Sequence, residues 1–259
     1  MLTNVDWNAS AYDDLSDPMF EWGMEVMSTL DLKGNERVLD AGCGSGRLTE
    51  ELAKRLPSGQ IVALDNSPEM LAAARKKLAA FGSRIEYIHA SLEDFPMSRP
   101  VDGIFSNAVF HWVPDHAGMF SALHRALAPG GWLVAEFGGF GNLQRALHRA
   151  QQLAESAEFR QYFGEFEAGP HFEDVAATSE HMKKAGFNNV AVNRFSRVAR
   201  FTSRERFEGF LETVVLRQPI APLSAELRRE YLGEMSRRTL AEESEFMLDY
   251  VRIQARATA

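Results

Sequence analysis

The chain has 259 residues, with 36 Asp and Glu against 28 Lys and Arg, a formal net charge of −8. That balance argues against a nucleic-acid groove, which needs clustered basic side chains to meet phosphates. Hydrophobic residues make up 45% and charged residues 25%, the mixture of a globular protein with one large core, or a core and a lid. The single cysteine, Cys43, excludes an internal disulfide and fits a reducing compartment. No run of roughly 18 apolar residues is present. Residues Met1 to Asp6 carry neither a basic nor an apolar segment, so no membrane association and a cytoplasmic location are expected.

The opening segment, residues 1–31, is rich in aromatics: Trp7, Tyr12, Phe20 and Trp22. Met19 to Leu30 reads as a helix with Phe20, Met24 and Met27 near one face. Arg37 to Gly46 follows, Arg-Val-Leu-Asp-Ala-Gly-Cys-Gly-Ser-Gly. Val38 and Leu39 end a short buried strand with Asp40 at its tip. Gly42, Gly44 and Gly46 make a turn without side chains, and Leu48, Leu52 and Leu56 begin a helix. Strand, glycine turn and helix form the layout of a nucleotide-type site, where backbone approaches a ligand closely. The dinucleotide fingerprint G-x-G-x-x-G fails here, because its third position falls on Arg47. Asp40 would repel a pyrophosphate and attract an ammonium group. These residues favour S-adenosylmethionine (SAM), which carries an α-ammonium and no phosphate, over NAD. A second apolar run, Gln60 to Leu64, ends in Asp65, 19 residues past Gly46. An acid there is placed to hydrogen-bond ribose hydroxyls. Ser67 and Pro68 read as N-cap and first turn of the next helix.

Strands and helices alternate over residues 37–137, which implies a parallel sheet with helices on both faces. The third, fourth and fifth strands are Ile85 to His89, Val101 to Ser106 and Trp132 to Phe137. Ligands in such sheets bind outside the carboxyl ends of the strands, at the switch point between strands one and four. Asn107 to Trp112 therefore line the centre of the site. Asn107 is a candidate for the cofactor, Trp112 for substrate, and His111 for a base or a substrate hydrogen bond, its pKa lying near working pH. His116 reads as a helix start, and Gly138 to Asn142 as a loop at a strand's carboxyl end.

Leu143 to Phe163 reads as helix, Gly164 to Pro170 as a break and Glu173 to Ala185 as a further helix. Val190 to Phe201 is a strand, and Thr202 with Glu205 makes a capping box for the next helix. A helix from Ser224 to about Leu240 and a final edge strand, Phe246 to Ala255, close the chain. Arg194, Arg197, Arg200, Arg204, Arg206 and Arg217 either form a solvated face or include a clamp for a substrate carboxylate.

The segments 38–46, Leu64 to Pro68 and Leu127 to Gly131 resemble the class I SAM-dependent methyltransferases. Ser106 to Trp112, Pro114 to His116 and Trp7 to Tyr12 resemble the trans-aconitate methyltransferase-like branch. The resemblance covers residues 7 to about 140 and implies a Rossmann-like, seven-stranded, mostly parallel sheet with helices on both faces and a helical lid. One methyltransferase domain spans residues 1–259: the lid segment 1–31, a SAM-binding core at 32–140, and a C-terminal part, 141–259, with a helical insertion at about 203–240. Asp40, Gly42, Gly44, Gly46, Asp65, Asn66 and Asn107 would bind SAM. Tyr12, under the lid, would contact the cofactor, and Trp22 the substrate. The family's adenine-binding aspartate is replaced here by Ser91, whose hydroxyl would accept the amino group while the Leu92 N–H serves the ring; Glu93 or Asp94 is the alternative acceptor. The implied activity is methyl transfer to a small molecule, above all to a carboxylate oxygen. A hydroxyl or amine acceptor, with His111 as base, a malonyl-carrier-protein ester, a SAM-binding protein without chemistry and an NAD oxidoreductase are the alternatives. The oligomeric state is left open, a monomer included.

Overall fold

The computed structural model describes residues 13–163 and 169–259. Five strands, β1 (Arg37–Ala41), β2 (Gln60–Asp65), β3 (Ile85–His89), β4 (Val101–Asn107) and β5 (Leu127–Gly138), run parallel to one another. Two more, β6 (Asn188–Arg200) and β7 (Met247–Thr258), pair antiparallel. The sheet order is β3-β2-β1-β4-β5-β7-β6, the seven-stranded, mostly parallel arrangement expected. All five residues of β1 are buried: Val38, Leu39 and Ala41 are the apolar residues of a parallel strand covered on both faces, and Arg37 and Asp40 are buried charged residues beside them. In register, Leu39 lies between Val62 and Ile104, and Asp40 between Ala63 and Phe105. The chain order reverses at β1 and β4, and this switch point opens a crevice at their carboxyl ends.

Helices α1 (Asp17–Ser28), α2 (Arg47–Arg55) and α3 (Pro68–Lys77) share one core with β1 and β2. Helices α4 (His116–Ala126) and α6 (Val175–Lys184) share a second with the other face. A third apolar cluster joins α5 (Gln144–Ala154), α7 (Arg204–Phe210), a π-turn at Leu211–Val215 and α8 (Ala225–Glu243) to Trp22 and Tyr250. Of this layer, α7, the π-turn and α8 lie in sequence between β6 and β7, whereas α5 follows β5. Short polar side chains start the helices: Ser67 Oγ accepts the Met70 N–H (3.3 Å), and Asp115 accepts that of Gly118 (2.9 Å). Among the described residues, no helix is long and apolar enough to cross a membrane.

Four boundaries differ from the sequence reading. The cap of α7 is Ser203, not Thr202. Helix α6 begins after Asp174, which caps it, rather than at Glu173. The long stretch after Leu143 ends as helix at Ala154 and continues as a 3₁₀ turn at Arg160–Tyr162. The last strand is internal: β7 lies between β5 and β6, with Leu248, Tyr250, Ile253 and Ala255 buried, while β6 takes the edge.

Gly103 in β4 sits against the Trp132 indole, where an added methyl would lie 2.0 Å from the ring. We predict that Gly103→Ala lowers stability by about 1–3 kcal/mol, and that adding Trp132→Leu restores much of it. A double-mutant cycle by thermal denaturation measures the coupling; additive losses would show that the contact is not the cause.

Candidate active site

Three glycines turn the chain from β1 into α2 in the left-handed region, with φ of +82° at Gly42, +53° at Gly44 and +86° at Gly46. Their roles differ. A Cβ on Gly42 would lie 2.3 Å from Val109, on the loop after β4. A Cβ on Gly44 would meet no atom within 4 Å, so that stretch of backbone faces open space in which a ligand fits. Gly46 instead lets α2 pack on α3, with Ala74 Cα 3.3 Å from its absent Cβ. Gly42 and Cys43 donate their N–H groups to the Leu64 carbonyl (2.8 and 2.9 Å), fixing the turn to β2.

Gly42 and Gly44 line a cleft of about 450 Å³, together with Asp40, Asp65, Asn66, Ser91, Leu92, Asn107, His111 and Trp112. Asp40 is buried and accepts a hydrogen bond from Thr49 Oγ1 (2.7 Å). Burial pushes its pKa up to about 7; the Thr49 hydrogen bond opposes the shift and the Asp65 carboxylate adds to it. Asp65 is also raised by burial, against the N–H groups of Ser67 (2.9 Å) and Gly44 (2.8 Å) that its oxygens accept. Asn107 donates from Nδ2 to the Met19 carbonyl (2.9 Å), tying α1 to the end of β4, and its buried Oδ1 has no hydrogen-bond partner. An orphaned acceptor, a buried carboxylate and a bare backbone turn fit the ammonium-bearing end of SAM. The Ser91 hydroxyl donates to Glu93 (2.9 Å) and accepts the Glu93 N–H (3.3 Å), so it has acceptor capacity left but no free proton.

The other end of the cleft is built differently. Arg252 on β7 is buried, lines the cleft, and donates from Nε to Glu136 Oε1 (3.2 Å) and from Nη2 to the Glu136 carbonyl (3.3 Å). Glu136, on β5, is fully buried. Burial raises its carboxyl pKa, opposed by Arg252 and Arg197, and its Oε2 has no hydrogen-bond partner. His111 is buried beside this pair. Its Nδ1 accepts the Gly138 N–H (3.3 Å), so in the neutral ring the proton sits on Nε2. Burial, the Arg252 charge and His116 hold its pKa well below 6.5. In this tautomer the neutral ring presents an Nε2–H donor, an arrangement that suits a hydrogen bond to substrate better than the base role anticipated for it. Phe172 stacks on His111 (5.7 Å between centroids). Phe172 is held by its neighbour Glu173, which meets His116 Nδ1 (3.0 Å) and His181 Nε2 (3.1 Å).

Gly46 and Trp22 do not line the cleft. Trp22 is buried behind it, edge-on to Tyr250 (5.0 Å), with the Arg252 and Arg197 guanidiniums 5.6 and 5.2 Å from its ring. It buttresses Arg252 instead of meeting a substrate. Tyr12 lies outside the described residues. Of the arginine cluster, Arg197, Arg200, Arg204 and Arg206 are engaged with Glu25, Glu245, Glu208 and Asp17. At this end of the cleft the lining guanidinium is Arg252, which lies outside that cluster. Its signal in the sequence was a charge inside an apolar strand, matched by Glu136 inside another; buried charges must pair. Arg47, which breaks the dinucleotide fingerprint, holds the N-terminal segment instead. It donates to the Asp13 carbonyl (2.7 Å) and pairs with Asp17 (3.1 Å).

Because Asp40 takes up a proton near pH 7 in the free protein, a cationic ligand must compete with that proton. We predict that S-adenosylhomocysteine affinity falls by up to about tenfold per unit as pH drops below 7, and that Asp40→Asn binds weakly with a flat profile. Calorimetric titration from pH 7.5 to 5.5 checks this. A flat profile in the unaltered protein would place the ammonium elsewhere.

The comparisons agree with this geometry. Residues 38–131 match a methyltransferase-domain family model. A trans-aconitate 2-methyltransferase of Acidovorax ebreus is 29% identical over 244 residues, covering 90% of this chain and 88% of its own length. One from Methylobacterium nodulans is 36% identical over 145 residues, 56% of this chain and 54% of its own length. Among solved structures, Haemonchus contortus phosphoethanolamine N-methyltransferase 2 with S-adenosylhomocysteine superposes with a TM-score of 0.62 at 20% identity, covering 96% of this chain and 56% of that one, and so shares the fold. A family model that runs from the glycine turn to the start of β5, a relative aligned over most of the chain and a shared fold converge: the chain carries a SAM-dependent methyltransferase domain and is similar to the trans-aconitate 2-methyltransferases.

Proposed function

We propose that the protein methylates a carboxylate oxygen of a small-molecule acceptor. The observation that carries this reading is the pairing of a buried Arg252 with a neutral His111 whose Nδ1 is occupied by the Gly138 N–H. Among the described residues, the groups set closest together at that end are donors, the Arg252 guanidinium and the His111 Nε2–H. A carboxylate is ionised at neutral pH and needs none; a hydroxyl or ammonium acceptor must lose a proton to some group. The names of the relatives support the same choice.

SAM supplies an electrophilic methyl group on its sulfonium. Asp40 and the Asn107 Oδ1 take its ammonium, and Asp65 its ribose hydroxyls. Ser91 and Leu92 lie where the adenine would reach. Arg252 and the His111 Nε2–H would hold one acceptor oxygen and leave the other free to attack the methyl group. Two donors from a rigid sheet end restrict the approach to a line, and alignment of this kind carries much of the rate in a displacement with no proton transfer. Phe172 and Trp112 shield the site from water, which strengthens both hydrogen bonds.

Two predictions test this. The double variant Arg252→Met with Glu136→Gln removes the guanidinium without stranding a buried carboxylate. It should lower kcat/KM on carboxylic acids about a hundredfold, on the order of 3 kcal/mol, with S-adenosylhomocysteine affinity unchanged. Equal activity on acids would remove Arg252 from the acceptor site. At saturating SAM, kcat between pH 6 and 8 should lack an ionisation near 6.5, because His111 stays neutral throughout. A rate rising with pH through that range, and lost in His111→Gln, would restore the base role.

A further inference from the structure

We infer that the acceptor carries a single carboxylate on an apolar body, not several carboxylates; this rests on the carboxylate reading above. Among the described residues that line the cleft, the Lys and Arg side chains are Arg47 and Arg252. Arg47 is at the glycine-turn end and is taken up by the Asp13 carbonyl, Asp17 and the face of Phe20, 4.4 Å away. Residues 1–12 and 164–168 contain neither Lys nor Arg, so they bring no further cation of that kind. His111 is neutral. Arg252 itself faces Glu136 at 3.2 Å, which leaves the acceptor end with little net positive charge. One carboxylate is matched there by the guanidinium fork and the His111 donor. Among the described residues that line the cleft, a second or third would find no further Lys or Arg.

The remaining walls are apolar apart from Asn142, His171, Gln218 and Tyr250. Leu143 and Leu147 come from the start of α5, Val214 and Val215 from the π-turn, and Trp112 and Phe172 face them. The polar groups near them are mostly committed. Asn142 Oδ1 accepts the Val251 N–H (3.0 Å), and His171 lies 3.7 Å from Glu173. Gln218 lines the cleft as a neutral amide. Arg217 lines a small adjoining cavity of about 10 Å³ that shares Trp112, Val214, Val215 and Gln218 with the cleft, and it is not among the residues that line the cleft itself. A carboxylate pressed against such a wall loses its water without gaining a partner, whereas a chain of methylenes gains on every buried carbon.

The test is calorimetric titration of the S-adenosylhomocysteine-loaded protein with butyrate, hexanoate, octanoate, glutarate and trans-aconitate. Methyl transfer to each acid, and to octanol and octylamine, is followed in parallel. The expected result is octanoate bound about thirtyfold or more tightly than glutarate or trans-aconitate. Affinity should rise by up to about fourfold per added methylene from butyrate and be lost in Arg252→Met with Glu136→Gln. Val214→Lys should shift preference toward glutarate. Trans-aconitate or glutarate bound as tightly as octanoate would overturn this inference and leave carboxylate methylation standing. Methylation of octanol or octylamine with no acid bound would overturn both. So would the absence of any binding or turnover.

Discussion

The Arg252–Glu136 pair lies at the carboxyl end of the sheet, out of contact with water, and much of the site depends on it. Removing two charges from water is costly, and their attraction offsets this only when further hydrogen bonds are in place. Both strands that carry them are therefore fixed. Gly138 of β5 stands opposite Arg252 of β7, and the Glu136 carbonyl takes hydrogen bonds from Arg252 and from the Ala108 N–H (2.7 Å). Ala108 follows β4 with a φ of +61°, a conformation unfavourable for a residue with a side chain. The pair thus holds together β4, β5 and β7, and Trp22 of α1 covers it. The antiparallel insertion of β7 next to β5 is what brings an arginine from the C-terminal part beside the switch point.

The cleft divides by charge. Asp40 and Asp65 gather at one end, near a backbone turn that leaves open space. Arg252 and the His111 donor stand at the other. A zwitterionic cofactor with a cationic centre and an anionic acceptor would be sorted by this field before any shape is read. The Glu173 carboxylate, set among His116, His171 and His181, anchors Phe172 over the acceptor end. Arg47 does the matching work at the cofactor end by holding the segment that begins at Asp13.

The parallel half of the fold could be read from the chain because its signals are local. Val38 to Gly46 states a strand, a turn and a helix within ten residues, and Asp65, Ser67 and Asn107 follow from strand ends and caps. The antiparallel part could not. Whether β7 lies inside or at the edge depends on which strand buries both faces, and Arg252 makes it look more polar than it is. Trp22 read as a substrate contact because aromatics near a site are ambiguous until their neighbours are known; its neighbours are two guanidiniums and Tyr250. His111 read as a base because its pKa in water suits the task. The Gly138 N–H on its Nδ1, 27 residues away, favours a donor role instead and leaves no trace in the local sequence.

The chemical class of the transferred methyl tests the account most directly. With SAM labelled on the methyl group and a mixed pool of small acids, alcohols and amines, the labelled product is treated with alkali. A methyl ester releases its label as volatile methanol, and this is the result the account predicts. Label that stays fixed after alkali would mean an ether, an N-methyl or a C-methyl product, and would contradict a carboxylate held by Arg252 and His111.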